Sequence, residues 1–278
     1  MPKNEDEIRK SVREGYAKVA QTSGSCCGTT KNCCGTSAPE TVSRTIGYSA
    51  EDLAALPEGA DLGLGCGNPV ALASLRPGET VLDLGSGAGI DCFLAARKVE
   101  PEGRVIGVDM TPEMLERARK NAAAARVSNV EFRLGEIEHL PVADNSVDAV
   151  ISNCVINLSP DKPQVFRETF RVLKPGGRLM VSDIVLAAPL PPALLKSVAG
   201  YVGCVSGASL RADYLSMMVT AGFSDVRVVS EDRFPVEATA SDPTLQALVR
   251  ESGLSVDELR RAATGVLSIR VSATKPAK

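Results

Sequence analysis

The stretch Asp83-Leu84-Gly85-Ser86-Gly87-Ala88-Gly89 continues an apolar run, Thr80–Leu84, and leads into a helical pattern that extends to about Val99. The apolar run is typical of a buried strand, and the glycines permit a tight turn and a close approach of the backbone to a ligand. A dinucleotide fingerprint, G-x-G-x-x-G, would place its third glycine at Ile90. The observed G-x-G-x-G pattern, with an aspartate two residues before it, disfavours a nicotinamide cofactor.

Strands and helices alternate on the C-terminal side of this glycine loop. The predicted strands are Arg104–Val108, Val130–Leu134, Val147–Ser152 and Arg178–Ile184. One helix is predicted to begin at Pro112, after an N-cap at Thr111. Another is predicted over Lys162–Leu173 and ends at the turn Lys174-Pro175-Gly176-Gly177. Such alternation predicts an α/β fold with a Rossmann-like, mostly parallel sheet and helices on both faces.

Less regular segments flank this core. Residues 4–20 have an amphipathic pattern that predicts a helix, and residues 21–40 have the composition of a loop. The C-terminal part is predicted to contain the helices Ala193–Val205 and Arg211–Thr220 and the strands Val226–Ser230 and Val266–Ala273. We therefore expect an N-terminal helix and cysteine-containing segment over 1–75, a Rossmann-like domain over 76–188 and a smaller C-terminal α+β region over 189–278.

Composition restricts the class of protein. The chain has 278 residues, of which 44% are hydrophobic, enough to bury a sizeable core. Its net charge is −3 and it has no dense block of Lys or Arg, which excludes nucleic acid and anionic membranes as main partners. The sequence shows no secretory leader and no apolar window of membrane-spanning length, so we expect a soluble, cytoplasmic protein. We also expect a monomer. Cytoplasmic thiols are kept reduced, so eight cysteines indicate chemistry or metal binding rather than a disulfide framework.

Four of the eight cysteines form two adjacent pairs, Cys26-Cys27 and Cys33-Cys34, in a segment rich in Gly, Ser and Thr. Adjacent Cα atoms are about 3.8 Å apart, below the usual disulfide window of about 4.4–6.8 Å. Neither pair is therefore expected to form an ordinary disulfide. A zinc site built across both pairs and a functionally idle tail both remain open.

The other cysteines are scattered along the chain. Cys154 follows the fourth predicted strand, where the carboxyl ends of parallel strands face the ligand crevice, so a substrate-holding or nucleophilic group would lie there. Cys66 and Cys204 stand among glycines that would let their sulfurs reach a shared point. Cys92, on the helix after the glycine loop, is expected to be a buried apolar residue.

Four features in order resemble the S-adenosylmethionine-dependent methyltransferases of the Rossmann-like class. They are the glycine loop, Asp109 at the end of the second strand, Glu136-Ile137-Glu138 after the third strand, and Arg171-Val172-Leu173-Lys174-Pro175-Gly176-Gly177 before the fifth. The resemblance implies S-adenosylmethionine as cofactor, with a carboxylate accepting hydrogen bonds from the ribose hydroxyls. The residues that it implies for cofactor binding are Asp83, Gly85, Ser86, Gly87, Asp109, Met110, Ile137, Glu138 and Asn153.

Three cysteine elements resemble, more specifically, the arsenite S-adenosylmethionine methyltransferases. They are Leu62-Gly63-Leu64-Gly65-Cys66-Gly67-Asn68-Pro69, Ile151-Ser152-Asn153-Cys154-Val155-Ile156-Asn157-Leu158 and Gly203-Cys204-Val205-Ser206-Gly207-Ala208. The resemblance implies that Cys66, Cys154 and Cys204 are essential thiols. It further implies that the pair Cys154 and Cys204 holds trivalent arsenic.

The chemistry that this resemblance implies needs thiols and no general base. Trivalent arsenic is soft and thiophilic, and its lone pair attacks the sulfonium methyl group directly. The resemblance also implies a fourth cysteine from the N-terminal segment, on an arm that captures arsenite and later pairs with Cys66. The distance along the chain from Tyr16 and from Cys66 favours Cys33 or Cys34 over Cys26 or Cys27. A disulfide formed after transfer would be reopened by an external thiol, thioredoxin or glutathione. The expected partners are arsenite, methylated trivalent arsenicals and a thioredoxin-like reductant.

Two other functions remain open. One is a methyltransferase of the same fold that acts on carbon or oxygen of a small metabolite, for which cysteine-to-serine changes would leave turnover mostly intact. The other is a non-catalytic thiol-based binder of a metalloid or zinc, although the chain lacks the tandem C-x-x-C spacing of structural zinc sites. The only histidine, His139, is expected to be structural, which suits a mechanism without acid–base groups.

Overall fold

A twisted sheet forms the centre of the computed structural model, which describes residues 4–22, 39–195, 201, 204–233 and 252–277. The strands are β1 (Thr80–Leu84), β2 (Arg104–Asp109), β3 (Val130–Leu134), β4 (Val147–Asn153), β5 (Leu173–Leu186), β6 (Ser224–Arg233) and β7 (Val266–Thr274). Within the described residues they form one seven-stranded sheet in the order β3-β2-β1-β4-β5-β7-β6. Neighbours from β3 to β5 are parallel, whereas β7 runs antiparallel to both β5 and β6. The predicted Rossmann-like, mostly parallel sheet is confirmed.

Helices cover both faces of this sheet, as predicted. They are α1 (Glu5–Thr22), α2 (Pro39–Thr45), α3 (Ala50–Ala54), α4 (Pro69–Leu72), α5 (Ile90–Val99), α6 (Pro112–Ala125), α7 (Lys162–Val172), α8 (Pro192–Leu195), α9 (Arg211–Thr220) and α10 (Val256–Ala263). A short 3-10 turn, Ile156–Leu158, follows β4. Among these helices, none combines the length and the apolar character that crossing a membrane requires.

The core lies on the two faces of β1, which explains why that strand reads as a continuous apolar run. Successive side chains of a strand point to opposite faces, and strands buried on both faces need apolar residues throughout. Leu82 packs in a cluster with Phe166 of α7 and Tyr214 of α9. Val81 packs on the other face with Phe93 of α5 and Leu115 of α6. All of these side chains are buried.

Two predicted boundaries were wrong. β5 begins at Leu173 instead of Arg178, so the predicted turn Lys174-Pro175-Gly176-Gly177 lies inside the strand. The pairing of β4 with β5 shifts register between Val147 and Ala149, and this bulge accommodates the residues of β5 between Leu173 and Arg178. The predicted helix Ala193–Val205 does not reach its C-terminal end, because Cys204 and Val205 lie in a turn and Cys204 has a φ of +63°.

The C-terminal region adds β6 and β7 to the edge of the same sheet, next to β5. At the other end of the chain, α1 packs against α6. The two Cys-Cys pairs lie within residues 23–38, outside the described residues, so the expectations about them stay predictions. The division into regions 1–75, 76–188 and 189–278 likewise stays a prediction.

Candidate active site

A crevice of about 1020 Å³, counted to its open mouth, lies at the carboxyl ends of β1, β2 and β4. Parallel sheets of this kind bind ligands at this end of their strands. Every residue predicted to bind the cofactor lines the crevice: Asp83, Gly85, Ser86, Gly87, Asp109, Met110, Ile137, Glu138 and Asn153. Cys154 lines it too, so the predicted cofactor residues and one predicted catalytic thiol share one space.

The glycine loop presents backbone and an unpaired hydroxyl to this crevice. Gly85 and Gly87 have φ values of +67° and +52°, which glycine adopts without strain. No heavy atom lies within 4 Å of the position that a Cβ of Gly87 would take, so the backbone there faces open space. The buried Oγ of Ser86 has no hydrogen-bond partner. An open backbone beside an orphaned buried hydroxyl fits a polar ligand such as the amino-acid or ribose part of S-adenosylmethionine.

Asp109 stands at the end of β2, where its carboxylate accepts hydrogen bonds from the backbone around it. Its Oδ2 accepts the N–H of Gly87 at 2.9 Å and its Oδ1 accepts the N–H of Thr111 at 2.8 Å. Burial raises the pKa of Asp109, and these backbone hydrogen bonds oppose the rise. A carboxylate has about four acceptor positions, so Asp109 can accept a hydrogen bond from a ribose hydroxyl beside those it receives from the protein. The predicted helix after Thr111 is present, but the Thr111 side chain makes no capping hydrogen bond.

Helix α1 covers the crevice, which the sequence did not predict. Arg9, Val12 and Tyr16 line the crevice from this helix. Arg9 Nη2 donates to Oε1 of the buried Glu138 at 3.4 Å, and Ser159 Oγ donates to the same oxygen at 2.6 Å. The amphipathic pattern predicted a helix with one buried face, but no local signal indicates what that face covers.

The structure brings Cys66, Cys154 and Cys204 together. Cys66 and Cys154 form a disulfide, with Cα atoms 5.9 Å apart, although 88 residues separate them in sequence. Cys204 is a free, buried thiol whose Sγ donates to the backbone oxygen of Cys154 at 2.9 Å. The resemblance implied an N-terminal cysteine, Cys33 or Cys34, as a partner of Cys66. That pairing stays a prediction, because both residues lie outside the described part of the chain.

Two of these cysteines hold an unusual backbone conformation. Cys154 and Cys204 have φ values of +58° and +63°, in the left-handed region. This region costs a residue with a Cβ about 1–2 kcal/mol, and such strained positions cluster at functional sites. The Cys154 N–H donates to the Ser182 carbonyl of β5 at 2.8 Å, which fixes the strained residue just beyond the carboxyl end of β4.

Burial and neighbouring charges determine the pKa of the Cys204 thiol. Burial raises the pKa of Cys204, and the carboxyl of Asp183 adds to the rise. A hydrogen bond with Tyr16 and the positive charge of Lys162 oppose it. The raised pKa favours the protonated thiol, whose proton a thiophilic ligand would displace on binding. Cys92, by contrast, is buried outside this cluster as predicted, and its Sγ donates to Asp83 Oδ2 at 3.2 Å.

Asp183 is a member of the site that the sequence analysis missed. Its carboxylate lies within 4.8 Å of the sulfur atoms of Cys66 and Cys154. It is fully buried on β5 and accepts hydrogen bonds from Asn157 Nδ2 at 2.7 Å and the Tyr214 hydroxyl at 2.9 Å. A lone carboxylate in the apolar run of β5, near its carboxyl end, was the available signal.

Asp183 is expected to make the protein less stable as the pH rises. Burial raises its pKa from an ordinary 3.8 to about 7. The folded state therefore binds more protons than the unfolded state in this window, so the free energy of unfolding falls as the pH rises from about 4 to 7. Asp183→Asn should show a shallower decline, because its amide never ionises. Thermal unfolding of both proteins across this pH range measures the two slopes, and equal slopes would contradict the assignment. Asp91, whose pKa burial raises to about 6, is present in both proteins and cancels in the comparison.

Known proteins resemble this chain in sequence. Residues 75–222 match the family model described as a methyltransferase domain. The chain is 53% identical over 234 residues to an arsenite methyltransferase of Halobacterium salinarum, covering 82% of this chain and 60% of that protein. It is 42% identical over 184 residues to an arsenite methyltransferase of Aquipseudomonas alcaligenes, covering 64% of this chain and 52% of that protein. The chain thus spans between about half and two thirds of the length of these relatives.

A solved structure extends the likeness to the fold. An arsenic(III) S-adenosylmethionine methyltransferase from Chlamydomonas reinhardtii is 34% identical, with a TM-score of 0.63, over 84% of this chain and 74% of that one. The methyltransferase-domain match covers more than half of the chain and includes the glycine loop, Asp109 and the cysteines at 154 and 204. The chain therefore belongs to the arsenite S-adenosylmethionine methyltransferase family.

Proposed function

We propose that this protein transfers the methyl group of S-adenosylmethionine to thiolate-bound trivalent arsenic, as part of arsenic detoxification. The observation that carries the proposal is the convergence of Cys66, Cys154 and Cys204 beside the crevice lined by the glycine loop. Cys66, Cys154 and Cys204 come from distant parts of the chain, and their thiols would offer arsenic a soft ligand set that would be superfluous for methylation of carbon or oxygen.

The crevice residues would hold the cofactor. The Asp109 carboxylate would accept hydrogen bonds from the ribose hydroxyls, and the Ser86 hydroxyl and the Gly87 backbone would face its polar groups. Ile137 and Glu138 would border the adenine, with Asp83, Gly85, Met110 and Asn153 completing the lining. When bound, S-adenosylmethionine supplies an electrophilic methyl group on a sulfonium sulfur.

The cysteines would hold the arsenic as substrate. Each As–S bond that forms from arsenite releases one water, made from an arsenic hydroxyl and the thiol proton, so no separate base is needed. Three sulfurs leave the arsenic lone pair free to attack the methyl carbon. The protein contributes alignment of the two reactants and a site that excludes bulk water, which are effective sources of rate enhancement.

A thiol pair would return the arsenic to its trivalent state. Methyl transfer leaves arsenic pentavalent, and two thiols that become a disulfide supply the two electrons that reduce it. The Cys66–Cys154 disulfide is the kind of product that such a step leaves. An external dithiol or glutathione, such as a thioredoxin-like partner in the cytoplasm, would reopen it. We propose that Cys33 or Cys34 joins this exchange as the arsenite-capturing thiol and that the enzyme works as a monomer.

The proposed function predicts arsenic methylation that depends on an external thiol. Reduced protein incubated with arsenite, S-adenosylmethionine and glutathione or thioredoxin should give methylated arsenic over many turnovers, measured by chromatographic arsenic speciation. Without the external thiol the yield should stop near about one methyl group per protein, because the disulfide is not reopened. No methylated arsenic above a protein-free control would refute the proposal.

A further inference from the structure

The main chain of Cys66 is held on both sides. Its N–H donates to Asn153 Oδ1 at 3.0 Å, and its carbonyl oxygen accepts the Ser268 hydroxyl at 2.8 Å. Asn153 stands at the end of β4, whereas Ser268 comes from β7, 202 residues further along the chain than Cys66. Both hydrogen bonds involve backbone atoms of Cys66, and the Cys66 sulfur itself lies only 3.9 Å from Asn153 Oδ1, so they hold the residue without using up its sulfur.

The orientation of Asn153 is set by a buried network. Its Nδ2 lies within hydrogen-bond distance of the Gly67 carbonyl at 2.7 Å, the Tyr48 hydroxyl at 2.9 Å and Asp91 Oδ2 at 3.2 Å. The Tyr48 hydroxyl donates to Asp91 Oδ1 at 2.8 Å. With these acceptors on one side, the amide can turn only its oxygen toward Cys66.

The glycines beside Cys66 leave the loop no room to shift. A Cβ on Gly65 would lie 2.8 Å from Asn153 Nδ2, and Gly65 has a φ of +116°. A Cβ on Gly67 would lie 2.6 Å from Ser182 Oγ. The Gly65-Cys66-Gly67 loop therefore packs directly against Asn153 on one side and Ser182 of β5 on the other.

We propose that Asn153 and Ser268 are positioning residues that hold the Cys66 backbone so that its thiol stays opposite Cys154 when the disulfide is open. The inference rests on the proposed use of Cys66 in the reaction. Cys66 lies between the short helices α3 and α4 and outside any strand, so these side chains supply the constraint that the sheet gives Cys154. Held in this way, the two thiols have a high effective concentration toward each other, which favours the disulfide and a shared arsenic atom. Through Ser268, strand β7 thus helps to position the Cys66 thiol.

The test is the equilibrium of the purified 278-residue chain with glutathione. Two glutathione molecules open the Cys66–Cys154 disulfide to two thiols and become one oxidised glutathione, so electrons and protons balance. Trapping the free thiols and mapping the peptide that contains the Cys66–Cys154 bond by mass spectrometry gives the equilibrium constant. Ser268→Ala should shift it toward the thiols by up to about fivefold, the worth of one hydrogen bond, because a less restrained Cys66 lowers the effective concentration of the two thiols toward each other. Tyr48→Phe should shift it in the same direction, through Asn153.

Two variants serve as controls. Ser268→Thr keeps a hydroxyl and should restore the wild-type equilibrium, and Ser272→Ala makes the same chemical change four residues away on β7 and should leave it unchanged. An unshifted equilibrium in Ser268→Ala, or an equal shift in Ser272→Ala, would overturn the proposal. The measurement needs no arsenic, so absence of arsenite methylation would reject the proposed function without affecting this result.

Discussion

Cys154→Ser is expected to lower arsenite methylation by about a hundredfold or more. Even the outer partners of a bound metal are worth about ten- to a hundredfold in affinity or activity, and a lost direct ligand should cost at least as much. Serine offers a hard oxygen in place of a soft sulfur, at a residue that lines the crevice and contacts both Cys66 and Cys204. The measurement is the initial rate of methylarsenic formation with saturating S-adenosylmethionine.

Cys92→Ser is the matched control for this experiment. Cys92 is a buried free cysteine that lies outside the Cys66–Cys154–Cys204 cluster, and serine keeps a hydrogen-bond donor for Asp83. Its methylation rate should stay within a few-fold of wild type. Equal rates for Cys154→Ser and Cys92→Ser would show that arsenic is not held where we place it, and would favour a methyltransferase that acts on carbon or oxygen.

Asp109→Ala is expected to weaken cofactor binding by about ten- to a hundredfold. Hydrogen bonds to a charged group are worth about 1.5–3 kcal/mol, and the carboxylate also holds the N–H groups of Gly87 and Thr111. Its loss should therefore remove the ribose contact and loosen the glycine loop together. Calorimetric titration with S-adenosylhomocysteine measures the dissociation constant directly.

An exposed aspartate provides the comparison for this variant. Asp213 lies on α9, on the surface and outside the crevice, and Asp213→Ala should bind the product with wild-type affinity. A similar dissociation constant for Asp109→Ala and Asp213→Ala would mean that the cofactor does not lie against the end of β2. The arsenic site could then no longer be placed next to its methyl donor.

The parallel part of the fold was predictable because its central strands, such as β1, are buried on both faces. A run such as Thr80–Leu84 must then be apolar throughout, and the glycine loop marks where it turns into α5. The ends of strands and helices were less predictable where the local composition indicated a turn but the sheet required an extended strand. Lys174-Pro175-Gly176-Gly177 has turn composition, yet Leu173 before it pairs with Val147 and Arg178 after it pairs with Ala149, so β5 includes it as a bulge. The turn at Cys204 depends on a left-handed residue that carries no sequence signature.

The site residues were predictable where the order of strands and loops along the chain determines their position in the fold. Residues that follow parallel strands, such as Asp109 and Cys154, must lie at the same sheet edge. Contacts between distant segments were not predictable in this way. Arg9 reaches Glu138 from α1, and Ser268 reaches Cys66 across 202 residues, and both contacts depend on packing that no local pattern encodes.

Arsenic K-edge X-ray absorption of the reduced, arsenite-loaded protein tests most directly the claim that Cys66, Cys154 and Cys204 hold one arsenic atom. The account predicts one arsenic per protein with three sulfur neighbours. Cys154→Ser and Cys204→Ser should each remove one of these sulfurs, whereas Cys92→Ser should remove none. Arsenic bound only by oxygen, or a sulfur count that does not change in Cys154→Ser and Cys204→Ser, would contradict it.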